Sequence, residues 1–538
     1  MSEADCRAAH EQQCDERCVR LVSSGMVSKG MQALHALPVA PQTEATLNAL
    51  RALHPKQVEE LGPGAQRLTP AVAAPTISEE TVMAAINNRA RDWATGPNGW
   101  RYGLLAFVLR RLPIAATNLV TSLVNAIASG IITKSSAFGL WVMLTSARLV
   151  ALSKRDGSIR PVAVSDPLSR LALGAAVAAC RTEVAAACGP YQFGVQASGA
   201  EKAALAVHLG LRANPDSITV FLDSRMAFQS LSRTPMLAAV KRYVPKLHEA
   251  VLAFYGHPTL LTWGDAGHRI ISSRGTRQGC SLGSFLYCIG VRDALHAVQA
   301  THLGVRILAY CDDLSVSGDS PAAVFAAVDA LAAALEGVGV SLNHGKTMVV
   351  SLSANPTYTA NIDEVVAQRT QRGCPPPQMS IGPHAGAVHL GCPVGGIQFQ
   401  AAHVRDAFNT VAEEVERLVR LQPADGARDG DPPVNSVQGV FQTIRLVPEP
   451  AIVHLLRFVP PHVTADAARD LDNRTFAAVM PFLGMPLSPG TDPPPLLEIL
   501  ARRRAFLPAI MSGLGLQSAE MAAEAAHVGM LAACLHDA

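Results

Sequence analysis

Two adjacent carboxylates stand out in this sequence because they lie between two apolar runs. Asp312 and Asp313 follow Arg306-Ile-Leu-Ala-Tyr-Cys311 and precede Leu314-Ser-Val-Ser-Gly318, where apolar residues alternate with serine. The pattern predicts a β-hairpin whose turn carries both carboxylates. In so apolar a setting the two repel each other and resist desolvation unless a cation, such as a divalent metal ion, holds them. Taken alone, however, the pair fits a solvent-exposed Asp-Asp turn better than a metal site.

A third carboxylate, Asp223, favours the metal site. It ends the β-branched run Ser217-Ile-Thr-Val-Phe-Leu222, and a helix-like segment begins soon after it. An acid at the end of a strand, beside a hairpin that carries two more, makes a cluster of three carboxylates. Mg²⁺ prefers hard oxygen ligands, and two ions roughly 3.5–4 Å apart stabilise both ends of an in-line phosphoryl displacement. Such a site would activate a primer 3′-hydroxyl and stabilise the leaving pyrophosphate.

A glycine-rich loop lies between these two segments. Residues 272–284 contain two arginines, Gln278 and Gly279, and an apolar helix is predicted to follow over residues 285–291. Glycine lets the backbone approach a ligand closely, and a helix N-terminus favours phosphate. On its own such a loop is a weak indication of function.

Basic residues flank the acidic ones at two further places. Residues 152–162 read as a strand, an Asp-Gly turn and a strand, with Lys154 and Arg160 on the two arms. Paired basic side chains on a hairpin can bind a triphosphate, although an ordinary charged hairpin has the same pattern. Lys346 lies in the loop before another strand, where a single lysine is usually just solvated.

The elements that must position these residues are also recognisable. Strand-like runs over residues 147–152, 217–222, 305–310 and 347–352 alternate with alanine-rich helices, which predicts an α/β or α+β core. Helical spacing interrupted by prolines predicts a separate lead-in before residue 80. Polar stretches rich in proline and glycine predict loops over residues 371–378 and 422–435, and helical sequence follows to residue 538.

Composition limits the classes of protein that remain. Hydrophobic residues make up 49% of the chain, so most of it should fold. No run of about 20 apolar residues appears, and the polar N-terminus is unlike a signal peptide. The eleven cysteines are scattered rather than clustered, which favours reduced thiols. We expect an intracellular protein of the nucleus or cytoplasm, neither secreted nor bound to a membrane; the net charge of +2 is only a weak hint about partners.

Taken in order, the motifs resemble those of reverse transcriptases, most closely those of non-LTR retrotransposons. The matching segments are Lys154–Pro161 (fingers hairpin), Phe193–Gln196 with Glu201 (between fingers and palm), Phe221–Arg233, Arg277–Gly283 and Ala309–Asp313 (first to third palm motifs), Ser341–Thr347 (fourth) and His389–Gly395 (primer-grip turn). The resemblance covers approximately residues 95–400, with a thumb to approximately residue 480.

The resemblance implies an α+β right-hand polymerase with fingers, a palm built on a small antiparallel sheet, and a helical thumb. The expected divisions are a helical N-terminal extension (1–80), fingers and palm (81–400), a helical thumb or connector (401–485) and a helical C-terminal tail (486–538). We also expect the chain to be a piece of a longer protein encoded by the element, because no nuclease or zinc-knuckle segment is found in it.

The resemblance also implies roles for individual residues. Asp223, Asp312 and Asp313 would hold two Mg²⁺ ions, with Mn²⁺ as a substitute. Lys154 and Arg160 would bind the incoming triphosphate, and Gln278 and Gly279 would line the nucleotide and template. Phe228 would reject a ribose 2′-hydroxyl and so favour dNTPs, and Lys346 would protonate pyrophosphate or position the triphosphate. The implied partners are an RNA template, a DNA primer and dNTPs.

Two departures and two alternatives accompany this interpretation. Ser281 stands where the family more often has proline, and Arg225-Met226 where smaller or neutral residues are common; neither change removes a metal ligand. The first alternative is an inactive or domesticated polymerase fold that binds RNA, which the three intact aspartates disfavour. The second, an RNA-templated RNA polymerase, is disfavoured by Phe228 and by the fingers hairpin. The leading hypothesis is an RNA-directed DNA polymerase of a non-LTR retroelement.

Overall fold

The architecture was taken from a computed structural model. It describes residues 3–23, 30, 33–34, 36–57, 61–68, 72–87, 95–154, 156–420, 437–446, 448–485, 487 and 495–535.

The described residues contain many helices and mostly short strands. The helices are α1 (Glu3–Ser23), α2 (Glu44–Ala52), α3 (Glu79–Asn87), α4 (Tyr102–Arg111), α5 (Pro113–Ala128), α6 (Phe138–Thr145), α7 (Pro167–Ala179), α8 (Arg181–Cys188), α9 (Gly199–Ala213), α10 (Ala227–Ser230), α11 (Arg233–Tyr243), α12 (Pro245–Tyr255), α13 (Gly283–Thr301), α14 (Pro321–Gly337), α15 (Pro356–Gln371), α16 (Ile397–Val419), α17 (Val437–Leu446), α18 (Pro448–Phe458), α19 (Pro461–Phe482), α20 (Leu496–Ala505) and α21 (Ala519–Leu535). The strands are β1 (Ala147–Ser153), β2 (Ile159–Ser165), β3 (Ile218–Leu222), β4 (Ser224–Arg225), β5 (Thr259–Trp263), β6 (His268–Ser272), β7 (Val305–Tyr310), β8 (Asp313–Gly318), β9 (Ser341–Leu342), β10 (Met348–Ser351), β11 (Gln378–Ile381), β12 (Gly386–His389) and β13 (Cys392–Gly395).

The chain divides into two compact units. We call one the central unit; it comprises Leu37–Ala203 and Ala213–Ile381. The other, the flanking unit, comprises Met1–Ala36, Ala204–Arg212 and Gly382–Ala538.

The central unit contains a five-stranded sheet. Its strand order is β11-β10-β3-β8-β7, and the β10–β11 pair is parallel while the other neighbours are antiparallel. Ile218, Val220 and Leu222 of β3 are buried, as are Ile307 of β7 and Val316 of β8. β-branched residues suit such a pleated and covered surface, which explains why these runs form strands rather than helices.

A second sheet of the central unit has four strands in the order β2-β1-β5-β6. A short segment before α2 extends it at the edge of β1: Ser153 N donates to Pro38 O at 2.8 Å, and Ala40 N donates to Ala151 O at 2.8 Å. Leu47 of α2 packs in the same core. Residues 37–52 therefore lie on the hairpin that carries the predicted triphosphate-binding side chains.

The flanking unit is mainly helical. In α16 most buried residues recur every three or four positions, which gives the helix one buried and mainly apolar face. These residues are Gln400, Val404, Phe408, Val411, Ala412, Val415 and Leu418. Arg417 of this helix pairs with the buried Asp15 of α1 at 2.7 Å. The unit also contains the β12–β13 hairpin, which includes the turn over residues 389–395 that resembles a primer grip.

The mixed α and β core expected from the sequence is confirmed. The runs predicted over residues 147–152, 217–222, 305–310 and 347–352 form β1, β3, β7 and β10. The linker predicted over residues 422–435 lies outside the described residues.

Among the described helices, none is by itself both long and apolar enough to cross a membrane; α7 and α8 reach that length only as a pair that is bent by 72°.

Candidate active site

Backbone pairing brings the three predicted carboxylates together at one end of the five-stranded sheet. Tyr310 of β7 pairs with Asp313 of β8, so Cys311 and Asp312 form a two-residue turn. On the other side of β8, Leu314 pairs with Leu222, the last residue of β3. Since antiparallel partners advance in opposite directions, Asp223 follows β3 at the level where Asp313 begins β8. Strand pairing, rather than a long loop, thus sets the position of each acid.

These carboxylates influence one another electrostatically. Burial raises the pKa of Asp313 to about 6, and the negative charges of Asp312 and Asp223 add to that rise. Burial also raises the pKa of Asp312, and the charge of Asp223 adds to this effect. A cluster that resists ionisation in this way favours binding of a cation.

Asp223 has partners of its own on the side away from the turn. β4 pairs with β9, which places Asn343 beside Asp223. Asn343 N donates to Asp223 O at 2.7 Å, and Asn343 Nδ2 donates to Asp223 Oδ2 at 3.2 Å. The Nζ of Lys346 lies 3.5 Å from the same Oδ2. Lys346 is therefore at the site, and its ammonium already pairs with one of the acids.

The side chains are not arranged as a ready metal site. Within the part of the chain that the structure describes, no three His, Cys, Asp or Glu side chains could together hold a metal ion as they stand. One oxygen of the Asp223 carboxylate, Oδ2, contacts Asn343 and Lys346 instead. The donor chemistry fits Mg²⁺, because all three groups are carboxylates, but the three side chains would have to rearrange to bind one ion together.

The basic side chains of the hairpin act electrostatically on the acidic turn. Arg160 and Lys154 both oppose the rise in the pKa of Asp312, so their positive charges lie within electrostatic reach of its carboxylate. The hairpin's own turn is fixed by Asp156, whose Oδ1 accepts from Ser158 N at 3.0 Å and from Ser158 Oγ at 2.6 Å. Two cations near the acidic cluster form a suitable environment for a polyanion such as a triphosphate.

The Gln278-Gly279 loop packs directly on the second strand of this hairpin. Ala163 N of β2 donates to Gln278 O at 2.7 Å. Gly279 has a φ of +94°, and a Cβ there would lie 2.7 Å from Ala163 O. Both conditions require glycine, because residues with a side chain rarely adopt this φ and because the two backbones are too close for a Cβ. The loop and the hairpin thus share one edge of the site.

Phe228 lies in α10, the short helix that follows Asp223 and β4, and one face of its ring contacts another aromatic ring. Its ring stacks on that of Tyr287, with centroids 4.9 Å apart and planes 27° from parallel. Tyr287 lies in α13 and is buried, whereas Phe228 is partly exposed. The exposed part of Phe228 is free to contact a substrate, while the buried Tyr287 fixes its position.

Sequence patterns assign no role to Arg233, which is 1% exposed. Its guanidinium donates to the backbone oxygens of Tyr255, His257, Ser272 and Gly275 at 3.1–3.3 Å. No carboxylate within the described residues pairs with it, and burial lowers its pKa to about 9. Arginine is usually exposed, so composition gives no signal for such a residue; its place at the end of the motif Phe221–Arg233 was the available clue.

Gln192 was also missed. It is fully buried, and its side-chain amide forms hydrogen bonds with both the N–H and the carbonyl of Cys311 in the acidic turn. The segment that was singled out in the sequence for its resemblance, Phe193–Gln196, begins one residue after it. A glutamine two residues before a glycine carries no pattern that predicts such contacts.

Comparison with known proteins gives three results. Residues 152–378 match the family model described as reverse transcriptase (RNA-dependent DNA polymerase). The chain is 25% identical over 455 residues to the retrotransposable element SLACS 132 kDa protein of Trypanosoma brucei gambiense, an alignment that covers 84% of this chain and 34% of that protein. The chain thus spans about a third of the length of that curated relative. A solved structure of apo telomerase from Candida tropicalis, truncated from the C-terminal domain, matches with 14% identity and a TM-score of 0.30 over 40% of this chain and 51% of that one, a likeness too weak to support an argument.

Proposed function

We propose that this chain is the polymerase part of a non-LTR retroelement protein, because residues 152–378 match the reverse transcriptase family model. It extends the 3′-hydroxyl of a DNA primer with dNTPs on an RNA template. The observation that carries this proposal is the strand register that brings Asp223 to the turn of Asp312 and Asp313, inside the matched region. The retrotransposable-element relative supports the assignment to a mobile element.

We assign the metal ligands to Asp223, Asp312 and Asp313. The raised pKa values of Asp312 and Asp313 support this, because a bound cation relieves the repulsion and desolvation that cause them. When bound, two Mg²⁺ or Mn²⁺ ions would lower the pKa of the primer hydroxyl and offset the charge that develops on the transferred phosphate. Asp223 would leave its contacts with Asn343 and Lys346 to take up this role.

The basic residues around the turn are assigned to the triphosphate. Lys154 and Arg160 on the hairpin would bind its oxygens, and their electrostatic reach to Asp312 supports a position at the reacting phosphates. Lys346, 3.5 Å from Asp223, would be released when that acid binds metal. Its ammonium would then hold or protonate the departing pyrophosphate.

Two further parts of the site would define the nucleotide. Gln278 and Gly279 would line the pocket for the base and template, because their loop borders β2 of the basic hairpin. Phe228 would contact the sugar of the incoming nucleotide and exclude a 2′-hydroxyl. Its fixed stack on Tyr287 supports this role, since a mobile ring would discriminate poorly.

We further propose that the central unit provides fingers and palm, and that the helices after residue 400 provide a thumb. The five-stranded sheet that carries the acids would be the palm, and the basic hairpin would belong to the fingers. The division at residues 80, 400 and 485 stays a prediction.

The test is primer extension by the purified chain on an RNA template with Mg²⁺ and dNTPs. Extension should be present in the wild type and reduced to background by Asp312→Asn, which removes one charge with little change in shape. Extension that survives Asp312→Asn would contradict the assigned site. RNA binding without extension, in either Mg²⁺ or Mn²⁺, would instead indicate an inactive polymerase fold that binds RNA.

A further inference from the structure

The acidic turn contains a backbone conformation that needs support. Cys311, directly before Asp312, has a φ of +53°. Residues with a Cβ rarely adopt positive φ, and glycine, asparagine or aspartate usually occupy such positions. In addition, the carboxylate repulsion in this turn favours a conformation that separates the two acids. Some contact must therefore hold Cys311 in place.

That contact comes from the side chain of Gln192. Its Oε1 accepts from Cys311 N at 2.7 Å, and its Nε2 donates to Cys311 O at 3.1 Å. The same Oε1 accepts from Gly194 N at 3.0 Å, and the residue is fully buried. One amide thus satisfies both backbone polar groups of the residue that has the unusual φ.

The backbone on either side of Gln192 is fixed to β7. Phe193 N donates to Ala309 O at 2.7 Å, and Ala309 N donates to Tyr191 O at 2.8 Å. Gln192 and Ala309 form an isolated parallel bridge. The amide is therefore held on the same strand that leads into the turn, so it cannot shift without breaking this pairing.

The next glycine makes the close approach possible. A Cβ on Gly194 would lie 2.6 Å from Cys311 Sγ and 2.7 Å from Cys311 N. Both distances are far below ordinary van der Waals contact, so this position has no room for a side chain. Gln192 and Gly194 together form a cradle for Cys311.

Neither glutamate nor leucine, the residues most similar to glutamine in shape or volume, satisfies all three groups. Glutamate has the same shape but no donor for Cys311 O, and it would carry a buried charge. Leucine has a similar volume but leaves two N–H groups and one carbonyl without partners.

We propose that Gln192 is a positioning residue for the reaction, which holds Cys311 so that Asp312 and Asp313 are presented together for metal binding. This inference rests on the proposed function, since it assumes that those two acids are metal ligands. It assigns to Gln192 no contact with the substrate.

The test compares Gln192→Leu and Gln192→Glu with the matched control Gln196→Ala in the full chain. Gln196 lies in the same segment and donates to Gln192 O at 3.1 Å, but it has no hydrogen bond to the turn. Three quantities are measured: the affinity for Mn²⁺, from the electron paramagnetic resonance signal of the free ion, the Mg²⁺ concentration for half-maximal primer extension, and KM for dNTP. Thermal unfolding followed by circular dichroism shows how much of each variant is folded.

We expect both Gln192 variants to bind Mn²⁺ at least about tenfold more weakly per folded molecule, because buried backbone groups of the turn lose their partners. The Mg²⁺ requirement should rise by a similar factor, whereas KM for dNTP should change less than about twofold. Gln196→Ala should match the wild type in all three. Gln192→Glu preserves the shape of the side chain, so it keeps the test available if Gln192→Leu does not fold.

Unchanged Mn²⁺ affinity in a folded Gln192 variant would overturn the inference, even if the variant were less stable, since that is the result of a purely structural role. A wild type that binds Mn²⁺ without extending primers would contradict the proposed function alone, because Mn²⁺ affinity would still test Gln192. A wild type that binds no Mn²⁺ would contradict both.

Discussion

The ring of Phe228 stacks on the ring of Tyr287, with the two centroids 4.9 Å apart. Phe228 follows Asp223 by five residues, whereas Tyr287 lies in the helix after the Gln278-Gly279 loop. The stack therefore joins the segment that carries Asp223 to the helix that follows the Gln278-Gly279 loop. Because Tyr287 is buried and Phe228 is partly exposed, only Phe228 can contact a nucleotide.

Phe228→Ala should therefore relax the discrimination between dNTPs and rNTPs. Removing the ring opens space for a 2′-hydroxyl, and the ratio of kcat/KM for the two nucleotides should fall by about ten- to a hundredfold. Single-nucleotide incorporation with matched dNTP and rNTP measures this ratio. An unchanged ratio in an active variant would show that Phe228 does not contact the sugar.

Tyr287→Leu should relax the same discrimination to a smaller extent. Loss of the stack lets Phe228 tilt, and one aromatic pair is worth about two- to tenfold in an equilibrium. Tyr287→Phe preserves the ring and is the control, with a ratio close to the wild type. Equal ratios for Tyr287→Leu and Tyr287→Phe would show that the stack does not set the position of Phe228.

Gly279→Ala should reduce primer extension to background. The new Cβ would lie 2.7 Å from Ala163 O, so the loop must move away from β2, and a φ of +94° adds strain. Gly157→Ala is a matched control, since Gly157 has a φ of +75° but a Cβ added there would meet no atom within 4 Å. That variant should lose only about 1 kcal/mol of stability and keep most of its activity. Comparable activity in the two variants would mean that the contact with β2 does not matter.

The grouping of the three aspartates was predictable from the sequence, because local patterns predict the strands and the turn that carry them. Asp223 ends a β-branched run, and Asp312 and Asp313 occupy a turn between two alternating runs, so strand pairing alone brings them close. The pairing of Lys346 with Asp223 was not predictable, because it depends on the two-residue strands β4 and β9, which are too short to show periodicity. The hydrogen bonds of Gln192 and Arg233 were hidden for a different reason. Their partners are backbone groups, whose positions depend on the completed fold and not on residue type.

Arg233→Lys should destabilise the central unit strongly, although it keeps the charge. The guanidinium reaches four backbone oxygens that an ammonium cannot reach together, so buried carbonyls lose their partners. We expect a loss of about 3 kcal/mol or more in the free energy of unfolding, measured by urea denaturation. The control is Arg242→Lys on the exposed surface, which should change stability by less than about 0.5 kcal/mol. A small effect of Arg233→Lys would show that water or a rearranged side chain replaces the lost bonds.

Asp313→Asn should stabilise the protein when no divalent cation is present. The pKa of Asp313 is raised to about 6 by burial and by Asp312 and Asp223, whereas an unfolded chain ionises this residue near 3.8. Between these two values the folded state holds a proton that the unfolded state has lost, so this residue makes stability fall as pH rises from about 4 to about 6. Asparagine removes that loss, so the variant should have the higher melting temperature above pH 6 in EDTA and the same melting temperature as the wild type below pH 4. The gain should stay below about 1 kcal/mol, because Asp313 is exposed to solvent, which weakens the effect of the partial burial of its carboxylate.

Added Mg²⁺ should reverse this order. A ligand that binds only the folded state stabilises it more strongly when its affinity is higher. The wild type should bind Mg²⁺ more tightly than the variant, because it has one more carboxylate. Melting temperatures at pH 7.5 with EDTA and with excess Mg²⁺ give the comparison, and Asp363→Asn on the exposed side of α15 is the control, with the same response to Mg²⁺ as the wild type. If Asp313→Asn gains as much from Mg²⁺ as the wild type does, Asp313 is not a ligand. The stability lost by ionising Asp313 without a cation would still come from its burial and from the charges of Asp312 and Asp223.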